Sequence, residues 1–596
     1  MKQSNFDKDP KVVIKDGYCI AGWNKVAKLI SEKKSGHKKF VVAIECYQGV
    51  YQTEIEEEID KEIEGVQWIM AEKALLSKEM TEELVKDFVT DHPVFGVMND
   101  LQLSGFFNLE KLQATRSEVE KTDGLVIVLG TGATLVCPTS DLLIYADMPR
   151  REIELRFRED KVGNLGAENP SASYAYQYKR SFFVDWRVLD RHKRSLIDKW
   201  DYVLDTTIPL QPKMLSAAVY QSALQQTVTQ PFRLVPYFDP GPWGGHWMEE
   251  KFDLKPEAEN LAWSFDGVPE ENTLVLSFEE ADFQTPAINL VFAEPEKLLG
   301  EKVYAAFGAE FPIRFDLLDT MGGGNLSLQV HPLKEYILEK FNMPYTQDES
   351  YYILDAGKDA QVFLGFREDI DPDKMIAELE TAHATGGKFR AEDHVQQFPV
   401  RKHDHYIIPS GTIHCSQTDT MVLEISATPY IFTFKLWDWE RMDLNGKPRP
   451  ISLEHGKKNL QWDRKKNWTK NNLINRFEKI AAGESWCEER TGLNPEQFIE
   501  TRRLKFNKTA PVSTFGSVNV LNLVEGESAV IESPDNAFEP FEVHYAETFI
   551  VPAAVGSYTM RGLNNAAGKE LMAVRAFVRT ENLDKFFSHL KSKSES

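Results

Sequence analysis

Cysteine is scarce in this chain and falls into no useful pattern. The five residues Cys19, Cys46, Cys137, Cys415 and Cys487 are scattered, odd in number and without a CxxC pair. That argues against a disulfide framework or a zinc ribbon, and the expectation is reduced thiols in a cytoplasmic protein. Long apolar runs are also missing. "GLVIVLG" (124–130) and "NTLVLSF" (272–278) are strand-sized, whereas a membrane span needs about 20 apolar residues. The N-terminal stretch lacks the apolar core of a secretory signal. Positive charge is short, with 69 Lys plus Arg against 92 Asp plus Glu and a formal charge of -23. A polyanion would be repelled, so neither nucleic acid nor a membrane is an expected partner. No repeat of 20–50 residues suggests a solenoid or propeller.

What is present is ordinary globular composition, 42% hydrophobic and 27% charged, in two textures. From about 20 to 207, helix-like and strand-like segments alternate. "KKFVVAIECY", "DGLVIVLG", "DLLIYADM" and "WDYVLDTT" read as strands. "GWNKVAKLISEKKS" and "PRREIELRFRED" read as helices, and the run from Ile55 to Val89 as one or two long helices. Strands separated by helices predict a mostly parallel α/β sheet. The segment 213–230 reads as a helical linker. After about 230, short β-branched and aromatic runs dominate, among them "KVYAAFG", "PIRFDLLD", "LSLQVHP" and "HYIIPSG". They predict a sandwich or barrel, broken by helices at about 333–342, 370–383 and 495–502. The strand-rich stretch 517–562 predicts a second small barrel.

The densest set of candidate ligands lies between 329 and 414. Gln329 and His331 stand at i and i+2 in "LSLQVHP", so on a strand both point to one face. Glu349 opens "ESYYILDAG". In "IIPSGTIH", Pro409 and Gly411 shape a turn and His414 follows it. One histidine in a β domain is usually a core or surface residue. Two of them, with a carboxylate and an amide, suit a borderline divalent metal such as zinc with an open position.

Pro409-x-Gly411-x-x-His414 resembles the second metal motif of the cupin barrel. "LSLQVHP", "ESYYILDAG", "VFLGF", "IIPSGTIH", "VLEIS" and "LWDWERMDLNGKPRPISLE", with "PWGGHW" and "FPIRFDLLD" upstream, together resemble the type I mannose-6-phosphate isomerases over about 231–596. The resemblance implies one Zn2+ per chain held by Gln329, His331, Glu349 and His414. It implies a zinc-dependent aldose–ketose isomerase taking mannose 6-phosphate to fructose 6-phosphate, with a metal polarising the C1/C2 oxygens and a protein base moving one proton. Lys435, Arg441 and Glu424 become the expected catalytic residues. Lys447 and Arg449, with Lys435 and Arg441, are the expected phosphate grip. Two positions depart from the family pattern. Gln347 stands two before Glu349 where the family has Lys, and Lys435 replaces an Arg if one residue is inserted. Lys keeps the charge but loses the planar fork. These departures keep a second reading open, a metal-binding sugar-phosphate sensor. An oxygenase fits less well, because Gln329 stands where many cupins have their first His.

Other residues have milder readings. His403 and His405 are spaced like a ligand pair, yet solvent-facing histidines are expected there. Trp437, Asp438 and Trp439 edge a sugar site or belong to the core. The N-terminal region resembles uridine-kinase-like domains, with "KKFVVAIECYQGVYQTEI" where strand, phosphate loop and helix would stand. Gly49 is followed by Val50, and the Lys and Ser/Thr of GxxxxGK[ST] are missing. "LGTGATL" (129–135) has Leu135 in place of the third Gly of a dinucleotide fingerprint. Residual nucleotide contact would fall to Arg150, Arg151, Arg187 or Arg191. The expected layout is a kinase-like α/β domain (1–212), the linker (213–230), a metal-binding cupin domain with helical inserts (231–510) and a second, jelly-roll cupin-like barrel (511–596).

Overall fold

The computed structural model describes residues 4–442, 449–492, 494, 497–581, 583–587 and 590. The chain forms two compact units, one of Lys11–Thr227 with Pro269–Ala293, the other of Met1–Pro10, Val228–Val268 and Glu294–Ser596. The middle segment, returning to the first unit, lies inside the stretch that the sequence assigned wholly to the metal-binding domain.

In the first unit, five short runs become the strands of a parallel sheet, and the three richest in Val, Ile and Leu are buried on both faces, as a covered sheet requires. They are β1 (Lys39–Cys46), β2 (Gln67–Met70), β3 (Gly124–Gly130), β4 (Leu142–Asp147) and β5 (Tyr202–Asp205). All five are parallel, in the order β2-β3-β1-β4-β5, and the antiparallel strands Lys213–Ser216 and Ile20–Ala21 extend the sheet beyond β5. The parallel α/β reading therefore holds, with two corrections. Strand β2 sits inside the run read as long helices, set off by Gly65 at a φ of 76°. The stretch read as a helical linker starts as the strand Lys213–Ser216, and only Ala217–Thr227 is helical.

The "LGTGATL" turn, set against a dinucleotide fingerprint in the sequence, keeps its amides for the chain itself. Gly132 takes a left-handed conformation and opens the short helix Ala133–Val136. The amides there are held by the chain itself. The Glu45 carboxylate accepts from Gly132 N–H at 2.6 Å, Thr134 N–H at 2.8 Å and the Thr134 hydroxyl at 2.7 Å. An internal carboxylate thus occupies the kind of backbone nest that binds anions. The four candidate arginines are likewise engaged. Arg150 is buried and paired with Asp190, Arg151 pairs with Glu154 at 3.6 Å, Arg187 donates to the Phe182 carbonyl, and Arg191 donates to the carbonyls of Asn99 and Leu101.

The second unit is mostly β. Its first barrel faces two antiparallel sheets together. Strands β6 (Leu328–Val330), β7 (Glu349–Ala356), β8 (His414–Ser416), β9 (Thr420–Ala427) and β10 (Phe434–Trp437) carry the residues of interest. One sheet runs His405–Ile408, β7, β9, Ile313–Asp319, Trp263–Phe265, Tyr237–Asp239; the other runs Val395–Pro399, Gln361–Phe366, β8, β6, β10. Helices Lys334–Phe341 and Pro372–Thr385 interrupt it as expected. "KVYAAFG" does not form a strand: Glu301–Phe307 is a helix that buries Val303 and Phe307, four residues apart on one face. The helix expected at 495–502 is, from Ile499 on, the strand Ile499–Phe506. That strand pairs with Leu571–Val578, so the second barrel starts earlier than 511, at Glu478–Ala482. Its two sheets close over Leu504, Leu521, Leu523, Ile531, Phe549 and Val551.

Candidate metal centre

Strand pleat and register bring the central residues to one place. Gln329 on β6 lies opposite His414 of β8 on one side and Lys435 of β10 on the other. Cross-strand partners share a face, so all three side chains project into the barrel. The register slips between Leu328 and Gln329: Leu328 pairs with Trp437 and Gln329 with Lys435, leaving Leu436 as the extra residue of a bulge. From the facing sheet, Glu349 begins β7. Two residues on, Tyr351 lies opposite Glu424 of β9.

The turn before His414 needs its glycine. Gly411 has a φ of 82°, and a β-carbon there would meet the Leu333 side chain at 2.8 Å and the Asn459 carbonyl at 2.9 Å. Its N–H donates to the His331 carbonyl at 2.9 Å, tying the two histidine segments together.

His331, Glu349 and His414 are all but completely buried, with exposures of 1%, 2% and 0%. His414 Nε2 lies 2.7 Å from Glu349 Oε1, and His331 Nε2 lies 3.2 Å from Glu349 Oε2. The Gln329 amide is 3.2 Å from His414 Nε2, and turned over it presents its oxygen instead. Each imidazole sets its Nδ1 against a backbone carbonyl, His414 against Thr412 at 2.9 Å and His331 against Phe432 at 3.4 Å. With Nδ1 held there, both Nε2 atoms face the centre, where they donate to Glu349 when protonated and can take an ion when not, as in metal-ligating histidines. The ligand atoms of His331, Glu349 and His414 lie within 4.8 Å of one another. This donor set, with buried polar atoms and inward Nε2 atoms, fits a divalent ion.

The electrostatics follow from the enclosure. Burial pushes the Glu349 carboxyl up, but the two imidazoles outweigh it and hold the group well below the usual carboxylate range. Glu424 goes the other way. Burial first, then the charges of Glu349 and Asp316, push it well above that range. Gln347 bridges the two, its amide donating to Glu349 Oε2 at 3.3 Å and Glu424 Oε1 at 3.1 Å. The Tyr351 hydroxyl is buried and raised well above its ordinary pKa, by burial and then by Glu349 and Glu424. Sequence reading passed over Tyr351, although its i+2 spacing from Glu349 was a signal that it shares that face.

The expected cationic residues gather at β10. Asp438 takes Arg441 at 2.6 Å and Arg449 at 2.8 Å. Arg441 also donates to the Asn325 carbonyl, so its guanidinium is fixed rather than free to reach a substrate. Burial, then the charge of Arg449, lowers Lys435 to about 8, with Asp438 opposing and Arg441 adding to the fall. Lys447 lies outside the described residues. Trp437 is core, and Trp439 donates its indole N–H to the Leu326 carbonyl at 2.6 Å. The solvent-facing reading of the histidine pair is corrected. His405 is fully buried, and burial with Arg503 nearby lowers it to about 3. His403 is partly buried, 3.0 Å from Glu525 and 3.1 Å from the Tyr352 hydroxyl.

Comparison with known proteins separates the two units. A sequence-family model described as a domain of unknown function (DUF8485) matches residues 22–229, within the α/β unit. The chain is also similar to curated mannose-6-phosphate isomerases. It is 26% identical to "Mannose-6-phosphate isomerase" of Streptococcus mutans over 215 residues, 36% of this chain and 62% of that protein. It is 21% identical to "Probable mannose-6-phosphate isomerase GmuF" of Bacillus subtilis over 337 residues, 56% of this chain and 97% of that protein. The chain spans less than two thirds of the length of the first curated relatives it matches, 65% and 62%. Among solved structures, the mannose 6-phosphate isomerase from Bacillus subtilis superposes with a TM-score of 0.48 and 18% identity, covering 58% of this chain and 99% of that one.

Elemental analysis of the purified protein should find about one divalent ion per chain, and His414→Ala and Glu349→Ala should each lose it. A chelator should lower the unfolding temperature of the wild type and leave that of His414→Ala unmoved, since only a bound ion adds to native stability. An equal chelator response in both would contradict the centre.

Proposed function

We propose that the chain is a zinc-dependent aldose–ketose isomerase acting on a sugar phosphate, mannose 6-phosphate to fructose 6-phosphate. The observation that supports this most is the convergence of His331, Glu349 and His414, Nε2 atoms inward, beside a second buried carboxyl group, Glu424, whose pKa burial and the charge of Glu349 raise. Two imidazoles, a carboxylate and the Gln329 amide make a borderline donor set suited to zinc. When bound, zinc would supply Lewis-acid polarisation of the sugar oxygens at C1 and C2.

The remaining work falls to side chains. Glu424 is the candidate to carry the proton between C1 and C2. It loses the like-charge part of its pKa rise once Glu349 is neutralised, which brings it toward the range of a working base. Gln347 holds Glu424 and Glu349 at a fixed separation through its two N–H bonds. Lys435, Arg441 and Arg449 set three cations around the single carboxylate of Asp438, a basic corner for the phosphate, with Arg441 positioning Asp438.

The second reading, a metal-binding sensor that holds the sugar phosphate without turnover, draws on Gln347. An amide cannot exchange a proton at neutral pH, and it occupies the position beside Glu349 where the resembled family has Lys.

Following the two sugar phosphates by NMR separates the readings. Interconversion by the wild type, abolished in Glu349→Gln and in His414→Ala, is the expected result, whereas saturable binding without interconversion would leave the sensor. A pH series tests Lys435. Its ammonium, lowered to about 8, is half charged there and loses the rest of its charge as pH rises further, so KM should rise across that range. In Lys435→Arg the cation persists to high pH, and the rise should vanish.

A further inference from the structure

The second barrel contains an opening that the proposed isomerisation does not use. Its cavity measures about 360 Å³, the size of a small-molecule pocket. Strand ends from both sheets meet there. Trp486 and Glu488 come from Trp486–Gly492, Arg575 from Leu571–Val578, and Tyr558 and Thr559 from Ser557–Gly562. Phe515 stands in the turn beside them.

Two features are unusual for a barrel end that only closes a core. Phe515 is 52% exposed and has a φ of 55°, a conformation that bulky side chains avoid. The turn thus displays a flat apolar ring at the opening despite backbone strain, and such strain marks functional positions. Arg575 is 2% exposed, with its guanidinium 5.1 Å from the Phe515 ring centre. It donates to the Ser513 carbonyl at 2.7 Å, to Asn519 Oδ1 at 3.1 Å and to Glu488. Its Nε–H finds no protein acceptor among the described residues. A buried donor of this kind is costly unless something else accepts from it.

The charges point to the class of ligand. Glu488 is held by both Arg575 and Arg502, and Arg502 also pairs with Glu500 at 2.6 Å. Glu500 also takes Arg490 at 3.3 Å, and Arg490 takes Glu478 at 2.9 Å, so three guanidinium groups balance three carboxylates and nothing here favours a phosphate or an ammonium group. What remains is aromatic surface from the partly buried Trp486 and from Phe515, whose ring also carries the guanidiniums of Arg575 and Arg502 at 5.1 and 5.0 Å, hydroxyls from Ser557 and Thr559, and one unused N–H. A sugar ring matches this mixture: its C–H face lies on an aromatic ring while its hydroxyls take the surrounding donors and acceptors. We propose that this pocket binds a neutral, unphosphorylated hexose, independently of the metal centre.

Titration of the full chain with D-mannose, D-glucose and D-fructose, read by tryptophan fluorescence and calorimetry, tests this. Saturable binding of at least one is expected. It should weaken about tenfold or more in Trp486→Ala and severalfold in Thr559→Val. Trp486→Tyr, which keeps a ring, should restore most of the affinity and so exclude a merely misfolded barrel. His414→Ala should bind the hexose as the wild type does. No saturation by any of the three up to about 0.1 M, binding that survives Trp486→Ala, or binding lost in His414→Ala would each overturn the proposal.

Discussion

One buried charge sets the terms for the interior of the first barrel. Glu349 sits out of water between two imidazoles, and an ionised carboxylate there is tolerable only if its charge is matched and its lone pairs are used. The matching partners come from different strands: His414 from β8, His331 just past β6, and the Gln347 amide just before β7. Burial, and then the negative charge of Glu349, push the pKa of Glu424 well above the usual carboxylate range. Two carboxyl groups of one chemistry thereby acquire different roles, and pairs whose environments drive their pKa values apart are how acid and base functions are divided. The tight turn at Gly411 and the carbonyls that orient each Nδ1 serve the same end.

Much of this was legible in the sequence, because period-2 strand geometry alone puts Gln329 and His331 on one face, and Pro409 with Gly411 announces the turn before His414. Fold class was equally readable, since buried parallel strands are continuous apolar runs and the later strands are short and punctuated. The failures have local causes. Strand β2 is four residues long and was lost among flanking helices. Glu301–Phe307 contains β-branched and aromatic residues but buries them at helical spacing. Burial of His405 depends on strands distant in sequence, which no local pattern reports. The engagement of Arg441 by Asp438 and the Asn325 carbonyl is likewise a tertiary fact that no local pattern reports.

Charge shows the same contrast between sum and place. The chain is acidic overall, at -23, yet three cations surround one carboxylate at β10. In the α/β unit the reverse occurs, where the amides of a phosphate-type nest hold the side chain of Glu45. A structural role for that loop follows from who occupies it.

The central claim is that Gln329, His331, Glu349 and His414 together hold one ion in the first barrel. X-ray absorption at the metal edge of the purified protein tests it most directly. The account predicts a first shell of nitrogen and oxygen donors only, with the outer-shell scattering of two imidazoles and distances of about 2.0–2.2 Å. A sulfur donor at about 2.3 Å, or a shell without imidazole scattering, would contradict it.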